Sequence, residues 1–205
     1  MKPLILAATA FEIQQSIPVL KEKGIPYLIS GVGMTATAFA LGKYLAVHKD
    51  ITPMVINVGI AGSLNKDIPL GSVLSIQSDC FSELGAQSDE DFISIDELGF
   101  GCSTYYACKD AELNIDLPMV DAITVNRVHG KQSSIDKLRS RFPHLSLESM
   151  EGAAAFYACA QENIPCLQVR SVSNYVEKRD KSTWKIQLAL NNLNQWLMDY
   201  LQQKY

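Results

Sequence analysis

The stretch "MEGAAAFYACAQENIPCLQVRSVSN", residues 150–174, holds the chain's clearest pairing of two elements. Its first half predicts a helix over 151–162, and the apolar run 166–172 that follows predicts a buried strand. A helix feeding a strand that is apolar at nearly every position belongs to a parallel sheet covered on both faces. One residue breaks the pattern. Arg170 puts a charge inside the strand, which is costly unless something nearby satisfies it, and the run stops at the polar pair Ser173-Asn174.

The same alternation runs through the rest of the chain. Strands are expected at 3–9, 27–30, 54–58, 73–77, 118–128 and 145–147, and helices at 12–23, 34–48, 135–141 and 183–203. Residues 79–117 are less regular and carry an acidic tip, "SDEDF" at 88–92, which reads as solvated surface. No repeat, linker or low-complexity tract interrupts the chain. The expectation is one α/β domain over residues 1–205, three-layered (αβα), with a central, mostly parallel, twisted mixed sheet. In such sheets ligands sit beyond the carboxyl ends of the strands, so the chemistry is sought there.

Composition narrows the function classes. The 205 residues carry a net charge of −4, and no run gathers five basic residues, so nucleic acid and acidic membranes are poor partners. No apolar run approaches the ~20 residues that span a bilayer, and the N-terminus lacks a signal-peptide pattern. The five cysteines form no CxxC pair, which favours a reducing compartment; a cytoplasmic location is expected. Three scattered histidines argue against a metal site, and no cofactor is implied.

At the strand ends stand Glu12, the glycine turns "GVGMTATA" and "GIAG", "VNRVHG" with His129, Met150-Glu151, and Ser173-Asn174. Each has a bland reading. Glu12 and Glu151 open helices, where a carboxylate complements the macrodipole, and the glycines permit tight turns. Arg170 is harder to dismiss, because a buried guanidinium needs carboxylates and two lie at strand ends on the same rim. The residues alone point to an α/β enzyme with a carboxylate-bearing pocket.

Four motifs in order over residues 5–174 sharpen this. "ILAATAFEI", "INVGIAGSL", "ESMEGAAAF" and "VRSVSN" resemble the purine nucleoside phosphorylase and nucleosidase superfamily, and "TVNRVHG" and the C-terminal stretch are similar to its futalosine hydrolase branch, of the menaquinone pathway. The resemblance implies roles. Glu12 would activate water, Arg170 would lie near that water, and Asn174 would face the purine N7. Met150 and Glu151 would line the ribose, Ala61 and Gly62 would sit beside base and sugar, and Val128 and His129 would fall in the base-binding segment. The substrates implied are a small-molecule nucleoside and water, and the assembly a homo-oligomer, a dimer or larger, with contacts sought in 79–117. An amide at 174 cannot donate a proton as an acid, which favours a 6-oxopurine over adenine as leaving base. Ile60 in the glycine turn gives phosphate no hydrogen bond, which favours hydrolysis. A methylthioadenosine or adenosylhomocysteine nucleosidase, a 6-oxopurine nucleoside phosphorylase, and a nucleoside-binding protein without catalysis remain as alternatives.

Overall fold

A computed structural model describes residues 1–89, 91–108 and 115–205. Glu90, in the acidic tip, and residues 109–114, in the expected contact region, lie outside the described residues. Ten strands are described: β1 (Leu4–Ala7), β2 (Tyr27–Ile29), β3 (Val55–Ser63), β4 (Val73–Phe81), β5 (Gly85–Ser88), β6 (Asp91–Ser94), β7 (Thr104–Tyr106), β8 (Met119–Thr124), β9 (Leu147–Ser149) and β10 (Cys166–Tyr175). The helices are α1 (Ala10–Ile13), α2 (Ile17–Glu22), α3 (Met34–His48), α4 (Gln132–Arg141), α5 (Gly152–Gln161) and α6 (Ile186–Lys204). The helix expected over 12–23 is split in two, with Ser16 and Pro18 at the break.

The sheet is mixed and mostly parallel, but it is not the open layer expected. β2, β1 and β3 pair in parallel, and β3 continues past the end of β1 to pair with β9. On its other side β3 pairs in parallel with β10, which pairs with β4; β4 then pairs with β8, and β8 with β9. That circuit returns to β3, so five strands close into a barrel and β1 and β2 extend from its wall. The physical reason lies in strand length and two irregularities. β3, β4 and β10 run nine or ten residues, long enough for their twist to accumulate into curvature. Register shifts between Ile76 and Ser78 and between Val172 and Asn174 add local bend where the wall must turn. The "GIAG" segment, expected as a turn, is thus the second half of a strand.

Alternation along the strands loads both faces. Leu4, Leu6 and Val55 pack with Leu41 and Leu45 of α3 and Phe156 of α5, while Ile5, Ile56 and Val169 pack with Leu193, Leu197 and Leu201 of α6. Each of these fully buried side chains contributes about 1.5–3 kcal/mol. Among the described residues no helix is long and apolar enough to cross a membrane.

Candidate active site

At the carboxyl ends of β1, β3 and β10 a cleft of about 350 Å³ gathers eight of the nine candidate residues: Glu12, Ala61, Gly62, Val128, His129, Met150, Glu151 and Asn174. The ninth, Arg170, is 1% exposed and lies behind the wall.

Glu12 sits in the one-turn helix α1. Its Oε2 accepts hydrogen bonds from the Thr9 amide (3.0 Å) and hydroxyl (3.1 Å), and Oε1 accepts from the Ile60 amide (3.2 Å). The capping role and the cleft-facing position therefore coexist. Burial pushes its carboxyl above the ordinary range; Arg170 and the Ile60 amide oppose that shift, and Glu151 adds to it. The approach of Glu12 to β3 needs a glycine. A Cβ on Gly59 would fall 2.8 Å from Oε1 and 3.4 Å from Nη1 of Arg170.

Arg170 makes no ion pair within 4 Å among the described residues. Its Nη2 donates to the side chain of Asn57, and its Nη1 to the carbonyls of Asn57 (3.4 Å) and Val169 (3.2 Å). The direct carboxylate pairing expected from the sequence is replaced by a field from Glu151, Asp79 and Glu12, which offsets the desolvation that lowers its pKa.

Glu151 precedes α5, yet its side chain does not cap that helix. It turns to accept from the Gly33 amide (2.9 Å), so the glycine turn after β2 holds a carboxylate in place. Gly31 and Gly33 have φ of 87° and 95°, the left-handed region that favours glycine. Asn174 is half-buried. Its Oδ1 accepts from the Ser173 hydroxyl (2.8 Å) and its Nδ2 donates to the Tyr175 carbonyl (3.0 Å), leaving one N–H and one lone-pair direction uncommitted.

Three residues escaped the sequence. Glu148, in β9, accepts from the His129 amide (2.9 Å) and pairs with the His129 ring, and that bond raises the His129 pKa. Asn194 of α6 accepts from the Ser16 hydroxyl (2.7 Å) and donates to the Glu12 carbonyl (2.8 Å), tying α1 to the C-terminal helix. Asp79 is fully buried in β4. Only Glu148 carried a signal, as an acidic residue at a strand end. At the rim, Arg179 stacks over Trp184 at 5.1 Å, with the exposed Phe11 and Val32 also lining the cleft.

Comparisons with known proteins agree on kinship. A futalosine hydrolase of Streptomyces coelicolor is 32% identical over 142 residues, covering 67% of this chain and 60% of that protein. The chain thus spans less than two thirds of that relative's length. A 5'-methylthioadenosine/S-adenosylhomocysteine nucleosidase of Buchnera aphidicola is 24% identical over 204 residues, with 90% and 73% covered. The solved futalosine hydrolase of Helicobacter pylori has the same fold, with a TM-score of 0.80 at 18% identity over 99% of this chain and 98% of that one. A family model described as the phosphorylase superfamily matches residues 17–202, and with nearly the whole length so matched the chain belongs to that superfamily.

Proposed function

We propose that the chain is an N-glycoside hydrolase acting on a 6-oxopurine nucleoside, futalosine, and releasing hypoxanthine in menaquinone biosynthesis. The observation that carries the hydrolytic reading is the Ile60 amide. A phosphorylase needs donors in this segment for phosphate, whereas here the Ile60 N–H is spent on Glu12 and its side chain is apolar. The one arginine at the cleft among the described residues, Arg179, is at the rim. Glu12 takes the proton of a water whose oxygen attacks the anomeric carbon as the base departs with its bonding pair and takes up a proton from solvent at N7, Glu12 then returning its own to solvent. General-base assistance of this kind is worth about 10²–10⁴ in rate. Glu151 binds the ribose hydroxyls, and the carboxylates favour the positive charge that develops on the sugar.

The free N–H of Asn174 suits the 6-carbonyl oxygen and its free lone pair a protonated N7. A methylthioadenosine nucleosidase is the second reading, favoured by the Buchnera relative. Comparing kcat/KM for futalosine, inosine and methylthioadenosine decides; methylthioadenosine as the best substrate refutes the 6-oxopurine assignment. The reaction is carried by one domain, residues 1–205, a reading supported by the pairing of β3, in the first third of the chain, with β10, in the last third. The chain acts as a cytoplasmic homo-oligomer. In support, Phe100 is 80% exposed beside an apolar hollow of about 500 Å³ that includes Leu84 and Ile95, within the region where contacts were expected. Sedimentation as a monomer at micromolar concentration would refute that assembly.

A further inference from the structure

Among the described residues one fully buried carboxylate, without an ion pair, takes no part in the hydrolytic step. Asp79 is 0% exposed, and its Oδ1 accepts from the Thr124 hydroxyl at 2.8 Å. The same hydroxyl oxygen accepts from the Ala153 amide at 2.8 Å, in the first turn of α5. That amide is one the helix itself cannot satisfy, and Glu151, turned toward Gly33, does not cap it. Thr124 therefore serves as the cap, and Asp79 orients Thr124. The other oxygen, Oδ2, has no hydrogen-bond partner and lies against Gly152, where a Cβ would come within 2.0 Å of it and 2.2 Å of Oε1 of Gln168. Arg170, two residues beyond Gln168 on β10, feels the charges of Glu151, Asp79 and Glu12.

A carboxylate buried with one hydrogen bond to a neutral hydroxyl costs stability. Burial pushes the Asp79 carboxyl up to about 6, against the Thr124 bond, Arg170 and the Gln168 side chain beside it, while Glu151 adds to the rise. Holding the fold alone does not call for such a group.

We infer that Asp79 is a positioning residue for the sugar-binding carboxylate: through the Thr124 hydroxyl and the Ala153 amide it fixes the start of α5 and with it Glu151, while its charge offsets Arg170 behind Glu12. This rests on the reading of Glu151 as the ribose ligand. The two contributions separate by substitution. Thr124→Val removes the bridge and keeps the charge, so KM for the nucleoside rises about tenfold, the value of one such hydrogen bond, and kcat moves less. Thr124→Ser keeps the hydroxyl and restores KM. Asp79→Asn keeps an oxygen acceptor for Thr124 and removes the charge, so KM stays within about twofold while kcat falls about tenfold.

General loosening of the barrel predicts instead that both variants lose kcat and KM alike and that Thr124→Ser rescues nothing; that pattern overturns the inference, as does a wild-type KM in Thr124→Val or a wild-type kcat in Asp79→Asn. Amide hydrogen exchange at Ala153 reads the bridge without turnover. Exchange should quicken in Thr124→Val and stay slow in Asp79→Asn and Thr124→Ser. If the wild-type chain cleaves no purine nucleoside, the functional reading falls; the bridge is still decided, because unchanged exchange at Ala153 in Thr124→Val overturns it.

Discussion

Gly59→Ala adds one methyl group and removes no chemical function, yet the geometry predicts a large kinetic effect. Gly59 pairs with Arg170 in the β3–β10 register, and its missing side chain makes the notch into which Glu12 reaches. The added Cβ would stand 2.8 Å from Oε1, about 0.6 Å inside ordinary contact. The carboxylate is the freer of the two partners and must move by roughly that amount. Its bond from the Ile60 amide, already 3.2 Å, is then lost. The abandoned amide costs about 1–3 kcal/mol of stability, and a displaced base costs about 10²-fold in kcat. Glu151 and Asn174 do not touch the notch, so KM changes little. Steady-state hydrolysis kinetics and thermal unfolding check both numbers. An alanine variant with wild-type kcat would refute the claim that Glu12 acts from this position.

Three further outcomes follow from the same site. Asn174→Asp supplies an acid beside N7, so the preference for adenine over hypoxanthine nucleosides should rise at least about tenfold in kcat/KM; an unchanged ratio argues against base reading at this position. Because burial holds the Glu12 carboxyl above 4.5, the acid limb of the kcat/KM profile should titrate above that value, with activity lost as pH falls; a profile flat down to pH 4.5 contradicts Glu12 as the base. Asp79, raised from 3.8 to about 6, gives stability that is complete below 3.8 and lost as pH rises through 6. Asp79→Asn should therefore leave stability nearly unchanged at pH 4 and raise it by up to about 3 kcal/mol at pH 8 in denaturant unfolding, and a loss at pH 8 would refute the buried-charge assignment.

The candidate cleft was legible in part because ligands in α/β proteins sit beyond the strand ends: Glu12, Met150, Glu151 and Asn174 follow apolar runs and reach one cleft. What stayed hidden depends on where strands continue. The expected strand 73–77 stops at Gln77, but β4 extends to Phe81 and carries Asp79 into the core, where the sequence reads only as polar residues after a strand. Closure of the barrel was invisible for a related reason, since it turns on register shifts in β10 and β4 that leave no mark in hydrophobic periodicity. Asn194 stands among the polar residues of "LNNLNQW" and is told apart only by burial, at 1% exposed. Arg170 is the buried charge its sequence context suggests, but its side-chain hydrogen-bond partner is Asn57 of β3, which lies inside the "INVGIAGSL" motif without a role read from it.

The central claim is that water, activated by Glu12, cleaves a 6-oxopurine nucleoside in this cleft. The most direct measurement is hypoxanthine release from futalosine by liquid chromatography, with and without phosphate, by the wild-type chain and Glu12→Gln. Equal rates with and without phosphate are expected, with a loss of about 10²–10⁴-fold in the variant. Release that requires phosphate, or a Glu12→Gln variant turning over at the wild-type rate, would contradict it.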